Sequence, residues 1–304
     1  MMDKESKHKL IIDYRERLFI NHCVFSLDQL FPHIDFQADA KIKGYNEYGA
    51  IIIDNRINSQ WLFTIANTAT MCPVGTHIYA VCDNQSKSSA QDTIGKLGEK
   101  IHVDIIEVEQ IKESFRIDNI YEYSKMLKDR SFWNYFDENK LLISQTDALI
   151  IKPIQEFYFE LPYLGAPFIP SQIIEIYSER NKYREIKNFY KYESAVHNKP
   201  NKSLYPNLVG NGGLSIRHRD AMKKLIGKFG KETDDNEPED LFFSRYINQI
   251  FESTPIEIAQ SFACEAKFHE EAIGNHACWK YFKSKEMAIH FENHIKTLLS
   301  MIPV

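Results

Sequence analysis

The chain has 304 residues, 43% hydrophobic and 26% charged, an ordinary globular composition that excludes wholesale disorder and leaves room for two domains or one large α/β unit. A formal net charge of −5 argues against nucleic acid as a partner. The charged start, Met1-Met2-Asp3-Lys4-Glu5-Ser6-Lys7, and the lack of any run of roughly 20 apolar residues point to a cytoplasmic chain without a transmembrane segment.

Residues 1–47 read as one or two helices docked on a main domain. A regular alternation then begins. Ala50-Ile51-Ile52-Ile53 is a short apolar run of the kind buried on both faces of a sheet. Helical periodicity follows from Asn58 to Met71, then a strand at His77–Cys82 and a poorer helix at Ala90–Lys100. A third strand is expected over Ile101–Val108, a helix over Arg116–Arg130 and a fourth strand at Lys140–Ser144. Strand and helix in strict alternation predict a parallel sheet covered on both faces. After Ile151 the strands become shorter, at Tyr163–Phe168 and Gly213–Arg217, and an amphipathic helix is expected over Trp279–Ser300. Between them lies a tyrosine-rich, locally basic stretch, Tyr177–Pro206, which reads as a lid, a binding loop or a solvated surface segment. Cys23, Cys72, Cys82, Cys264 and Cys278 are scattered without CxxC spacing and read as reduced thiols.

Ligands of such sheets sit at the carboxyl ends of the strands. That rule singles out Asp54-Asn55-Arg56, Asp83-Asn84 and Gln145-Thr146-Asp147, each a polar cluster directly after an apolar strand. Asp147 is placed either to hold Mg²⁺ or Mn²⁺, which favour hard oxygen ligands, or to cap a turn. Three glycines in Gly210-Asn211-Gly212-Gly213 permit close backbone approach to a ligand or form a tight turn into a strand. Glu239-Asp240, after Glu237-Pro238, reads as helix-start capping or as a stabilised anion that can act as general base. His276 and Trp279, in Gly274-Asn275-His276-Ala277-Cys278-Trp279, are candidates for a metal ligand and for an aromatic stacking face; a structural histidine and a core tryptophan are the alternatives.

Taken in order, Phe132-Trp133, Gln145-Thr146-Asp147, Tyr163-Leu164-Gly165-Ala166-Pro167, Gly210 through Arg217, Glu239-Asp240 and Gly274 through Trp279 resemble a family of proteins similar to nucleotide-sugar-dependent glycosyltransferases of the GT-A fold. The resemblance covers residues 48–282. It implies a Rossmann-related α/β fold, a mostly parallel central sheet flanked by helices with a smaller mixed acceptor-side subregion. The implied division is an N-terminal helical extension at 1–47, a nucleotide-binding half at 48–151, an acceptor and catalytic half at 152–282 and a C-terminal helix at 283–304. The implied activity is transfer of a sugar from a nucleoside-diphosphate donor, UDP-linked, to a hydroxyl of a glycan or glycolipid, with inversion. A polysaccharide or glycolipid acceptor is compatible with a peripheral position at the inner membrane face.

In that scheme Asp54, Asn55, Arg56 and Asp83 lie near the base or ribose. Asp147 and His276 hold Mn²⁺ or Mg²⁺ on the diphosphate, and Arg217 assists on the phosphates. Asn211, Gly212 and Gly213 approach the sugar, Trp279 stacks, and Asp240, with Glu239 as second choice, takes the acceptor proton. Gln145 stands where GT-A enzymes usually carry the first acid of Asp-x-Asp; its amide can hydrogen-bond a ribose but adds no negative charge. Two other readings stay open, a sugar nucleotidyltransferase and a non-catalytic sugar- or nucleotide-binding module. Asp54–Asn58 has no glycine, which weighs against the triphosphate loop of the former.

Overall fold

The computed structural model describes residues 3–34, 47–168, 209–232 and 237–303. A long helix, α1 (Lys4–Gln29), comes first, with Asp3 capping it by accepting from the Ser6 amide. The expected alternation follows as β1 (Tyr48–Ile53), α2 (Ser59–Met71), β2 (His77–Cys82), α3 (Lys87–Ile94) and β3 (Val103–Glu107), then three short helices, α4 (Val108–Ile111), α5 (Ile120–Leu127) and α6 (Arg130–Asn134), and β4 (Lys140–Ser144). The single helix expected over Arg116–Arg130 is broken because two side chains cap new starts. Asn119 accepts from the amides of Tyr121 and Glu122, and Asp129 accepts from that of Ser131.

The main sheet has the order β3-β2-β1-β4-β7-β6, where β6 is Tyr163–Pro167 and β7 is Val209–His218. The four strands from β3 to β4 are parallel, and β7 runs antiparallel to both its neighbours. A second sheet orders β5 (Ala148–Ile150), β9 (Gly274–His276) and β8 (Ala263–Cys264). This is the expected α/β architecture, with a largely parallel central sheet, flanking helices and a smaller mixed subregion. Side-chain alternation divides the interior in two. Ala50 and Ile52 of β1 join one core with Phe19, Trp61 and Trp279, whereas Ile51 and Ile53 join another with Trp133, Tyr163 and Phe243. The sheet is therefore buried on both faces, as its β-branched runs demand.

The remaining helices are α7 (Arg219–Phe229), α8 (Glu239–Ile247), α9 (Ile256–Phe262), α10 (Cys278–Tyr281) and α11 (Ser284–Ser300). The single terminal helix expected from Trp279 is instead two, interrupted where Phe282 turns extended and buries its ring. Glu286 accepts from the Lys283 amide and starts α11. All five cysteines are buried and free. No helix among the described residues is long and apolar enough to cross a membrane. The Tyr177–Pro206 stretch lies outside the described residues.

Candidate functional site

The site grows from the meeting of β4 and β7. Their last paired residues are Ser144 and Leu214, and the Gln145 amide continues the ladder by donating to the Gly213 carbonyl at 2.8 Å. Gln145-Thr146-Asp147 at the carboxyl end of β4 is thus laid beside Gly210–Gly213 at the amino end of β7. The glycine tract is strand, so the tight-turn reading of its sequence does not hold. It is bulged against β6, where the register shifts around Ala166. A side chain on Gly165 would come within 2.4 Å of the Asn211 carbonyl, and Gly210 sits at φ +120°, so glycine is required at both positions.

Three remote segments converge on this tract. The Gly212 amide donates to Asp240 Oδ2 at 3.2 Å. The His276 ring occupies the space that a Gly213 side chain would fill, because a Cβ there would lie 2.1–2.4 Å from ring atoms. Asn211 donates to Glu265 Oε2. The second sheet supplies His276 and brings it to Asp147. Ala148 pairs with His276 across β5 and β9, and the Ala277 amide donates to the Asp147 carbonyl at 2.9 Å. Ala277 adopts the left-handed conformation, φ 48°, the one non-glycine to do so among the described residues. Such strain is characteristic of functional sites.

His276 lies between two carboxylates. Its Nε2 is 3.0 Å from Asp147 Oδ1 and its Nδ1 is 3.2 Å from Glu265 Oε1, yet both nitrogens are buried without an aligned hydrogen bond. Burial disfavours the imidazolium, but Asp147 and then Glu265 outweigh it and raise the pKa to about 10. Burial likewise opposes ionisation of Asp147, and His276 followed by Lys280 overcomes it and lowers its pKa to about 2. Both side chains are donor types that a divalent cation accepts, once the imidazolium has given up its proton. The 3.0 Å gap is the spacing kept by adjacent ligands about 2.1 Å from one ion, and a carboxylate behind the other ring nitrogen is the usual support of a ligating histidine.

Asp240 opens α8. Its Oδ1 accepts from the Leu241 amide at 2.7 Å. Burial, then the neighbouring Glu239 charge, raises its pKa to about 7 against the opposing pull of Arg217 and the two amides. Asp240 remains partly exposed while Glu239 is buried. A part-open carboxylate that titrates near neutrality is suited to accept a proton.

On the other side of Asp147, Thr146 Oγ1 donates to Asp54 Oδ2 at 2.7 Å. Arg56 forms two bonds to the same carboxylate, at 3.0 and 2.7 Å. This ties the ends of β1 and β4 together and leaves the Arg56 side chain 75% exposed at the rim. Asn55 Oδ1 accepts from the Asp83 amide at 2.8 Å, and Asp83 Oδ1 accepts from that of Ser86 at 2.8 Å. The residues expected to meet a nucleotide are therefore grouped at the carboxyl ends of β1, β2 and β4.

Four expectations are corrected. Arg217 does not reach a phosphate. Alternation along β7 turns it inward, where it is fully buried, donates to Glu239 Oε1 at 3.1 Å and lies over the Tyr163 and Phe243 rings. Glu239 is its counter-ion, also accepts from Ser124 at 3.0 Å, and has no open face for an acceptor. Trp279 is 6% exposed and packs on Phe19, with ring centroids 4.7 Å apart, so it fills the core and stacks on no ligand. The buried Asn211 side chain donates to Glu265 and is not free to meet a sugar. Sequence reasoning missed Glu265 and Lys280. Glu265 directly follows the two-residue strand β8, the same acid-after-strand signal that marks Asp147.

Among solved structures, the chain is similar to mouse xyloside xylosyltransferase 1 (11% identity, 81% of this chain and 93% of that chain, TM-score 0.47). It is also similar to the mannosyltransferase Ktr4p of S. cerevisiae (9% identity, 82% and 78%, TM-score 0.43). A third is the galactosyltransferase LgtC in complex with donor and acceptor sugar analogs (12% identity, 84% and 97%, TM-score 0.45). These are distant likenesses of architecture. No curated protein matches the chain. A family model, described as protein of unknown function (DUF5672), matches residues 105–277, a span running from β3 to the strained Ala277 and so including Asp147, the glycine tract, Asp240, Glu265 and His276; the chain belongs to this DUF5672 family.

Proposed function

We propose that the protein is a glycosyltransferase that moves a sugar from a nucleoside-diphosphate donor, UDP-linked, to a hydroxyl of a glycan or glycolipid. The observation that carries this reading is the convergence of Asp147, His276 and Asp240 on one glycine tract at the carboxyl end of β4. Such strand ends are where α/β sheets bind ligands. Asp54, Asn55, Arg56, Asp83 and Gln145 form the nucleotide side, with Arg56 and Lys280 as exposed cations that interact electrostatically with Asp147. Asp147 and His276 would hold Mn²⁺ or Mg²⁺, which when bound neutralises charge developing on the departing nucleoside diphosphate. Gly212 and Gly213, both buried, act indirectly: Gly213 leaves room for the His276 ring, and Gly212 for Glu239, Arg217 and Asp240. Asp240 takes the proton of the acceptor hydroxyl as the oxygen attacks the anomeric carbon, which implies inversion. Glu239 is paired with Arg217 and accepts from Ser124, and the Gly212 and Leu241 amides fix the Asp240 carboxylate in place.

A binding module without turnover is the second reading. It is favoured by Gln145, which leaves one carboxylate where two would strengthen metal binding. Incubating the chain with a panel of nucleoside-diphosphate sugars and simple acceptors, with and without Mn²⁺, separates the two. Metal-dependent release of nucleoside diphosphate, lost in Asp147→Ala and Asp240→Asn, supports the transferase. Thermal stabilisation by UDP with no turnover across the panel would overturn it in favour of the module.

A further inference from the structure

The opposite end of the sheet carries a second cluster of chemistry-bearing side chains that the proposed reaction does not use. His77 begins β2, and Asp104 lies in the edge strand β3 opposite Tyr79. Residues 77 and 79 share a sheet face by alternation, as do 102 and 104, so His77, Tyr79, His102 and Asp104 all project from one side. Asp104 faces both histidines, with Oδ2 2.7 Å from His77 Nε2 and Oδ1 3.2 Å from His102 Nε2. One ligand atom from each of the three residues lies within 4.8 Å of the others.

A second observation concerns the far side of the His77 ring. Its Nδ1 is 3.0 Å from Glu138 Oε1, and Glu138 Oε2 accepts from Tyr79 Oη at 2.8 Å. Glu138 is 6% exposed, held over the sheet where Gly49 offers no side chain; a Cβ on Gly49 would lie 3.3 Å from Glu138 Oε2. A buried carboxylate is an acceptor, so the Nδ1 proton points to Glu138. The Nε2 lone pair then points at the Asp104 carboxylate, an arrangement that requires a cation, either a proton or a metal, between them. A histidine whose second nitrogen is tied to a buried carboxylate is the usual form of a metal ligand, fixed in tautomer and orientation.

We infer that His77, His102 and Asp104 form a binding site for a borderline divalent transition metal of the Zn²⁺ type, with water completing the coordination. Two imidazoles and one carboxylate favour zinc over Mg²⁺ or Ca²⁺, which prefer all-oxygen shells. The ion would clip the edge strand β3 to β2 at the end of the sheet opposite Asp54, Asp83 and Asp147, and would act on stability instead of turnover.

The test uses the full-length, untagged, chelator-treated chain titrated with Zn²⁺ by calorimetry, together with Co²⁺ absorption as a readout of nitrogen and oxygen coordination. His102 and Asp104 are 58% and 46% exposed at their side chains, so His102→Ala and Asp104→Asn are expected to fold. Each variant should lose one Zn²⁺ equivalent, or bind it about tenfold or more weakly. Each should also lose the Co²⁺ bands and the rise in melting temperature that Zn²⁺ gives the parent. A parent chain that binds no Zn²⁺, or variants that match the parent in stoichiometry and affinity, would show that a proton alone bridges His77 and Asp104 and would overturn the site.

Discussion

Replacing Asp240 by Asn should make the protein more stable while removing its proposed proton acceptor. In the folded chain, burial and the adjacent Glu239 charge raise the Asp240 pKa from 3.8 to about 7. At 1.36 kcal/mol per pH unit, keeping this group as an anion costs up to about 4 kcal/mol at neutral pH. Asp240 is partly exposed, and the substitution also removes a charge that Arg217 attracts, so we expect a net gain of about 2 kcal/mol, or about 3 °C in a chain of this size. The sign with pH is fixed. The folded state holds this proton more tightly than the unfolded state, so the penalty is full above pH 7. It shrinks as pH falls through that value and is gone below the ordinary value of 3.8. Melting curves of the parent and Asp240→Asn at pH 8 and pH 5 check this directly, with the gap at pH 8 more than twice that at pH 5. A variant that melts at or below the parent at pH 8 would show that the carboxylate is not a strained anion, and would remove the physical reason for calling it a base.

Gly213→Ala should displace the His276 ring, which a Cβ would meet at 2.1–2.4 Å; a loss of about 1–3 kcal/mol in urea unfolding, together with weaker Mn²⁺ binding, is the expected result. Glu265→Gln keeps the shape but removes the charge behind His276, and should weaken Mn²⁺ affinity about tenfold or more by titration calorimetry, with little change in melting temperature. Arg217→Met leaves Glu239 buried without its partner and should cost about 3–5 kcal/mol. Adding Glu239→Leu should recover most of that loss, since a buried pair contributes little beyond satisfying itself. If the double variant is no more stable than Arg217→Met, the pair is not isolated in the way its burial implies.

The central sheet was legible because its strands are short apolar runs, such as Ala50–Ile53 and Leu141–Ile143, bounded by polar clusters. Asp147 was legible for the same reason, as an acid at the end of one such run. Other features depend on tertiary partners that no local pattern announces. Trp279 has the sequence context of a ligand-stacking residue, yet Phe19 of α1 covers its ring. Arg217 stands in a glycine-rich motif that suggests phosphate, but its position in a ten-residue strand points it toward Glu239. Glu265 escaped notice because β8 is only two residues long, too short for a period-two signal. The break between α5 and α6 was readable in principle, since Asp129 is a good capping residue and accepts from the Ser131 amide.

The pairing of β5 with β9 has a consequence for assembly. The first four parallel strands are complete by Ser144, joined by successive crossovers. The ladder that joins Ala148 to His276 links residues more than a hundred positions apart, and the core around Trp279 needs α1 from the other terminus. Pairings of such separation are slow to form because long-loop entropy is lost before any contact compensates. On the ribosome, the parallel strands can therefore gain structure while Asp147 waits for His276, more than a hundred residues later, to emerge.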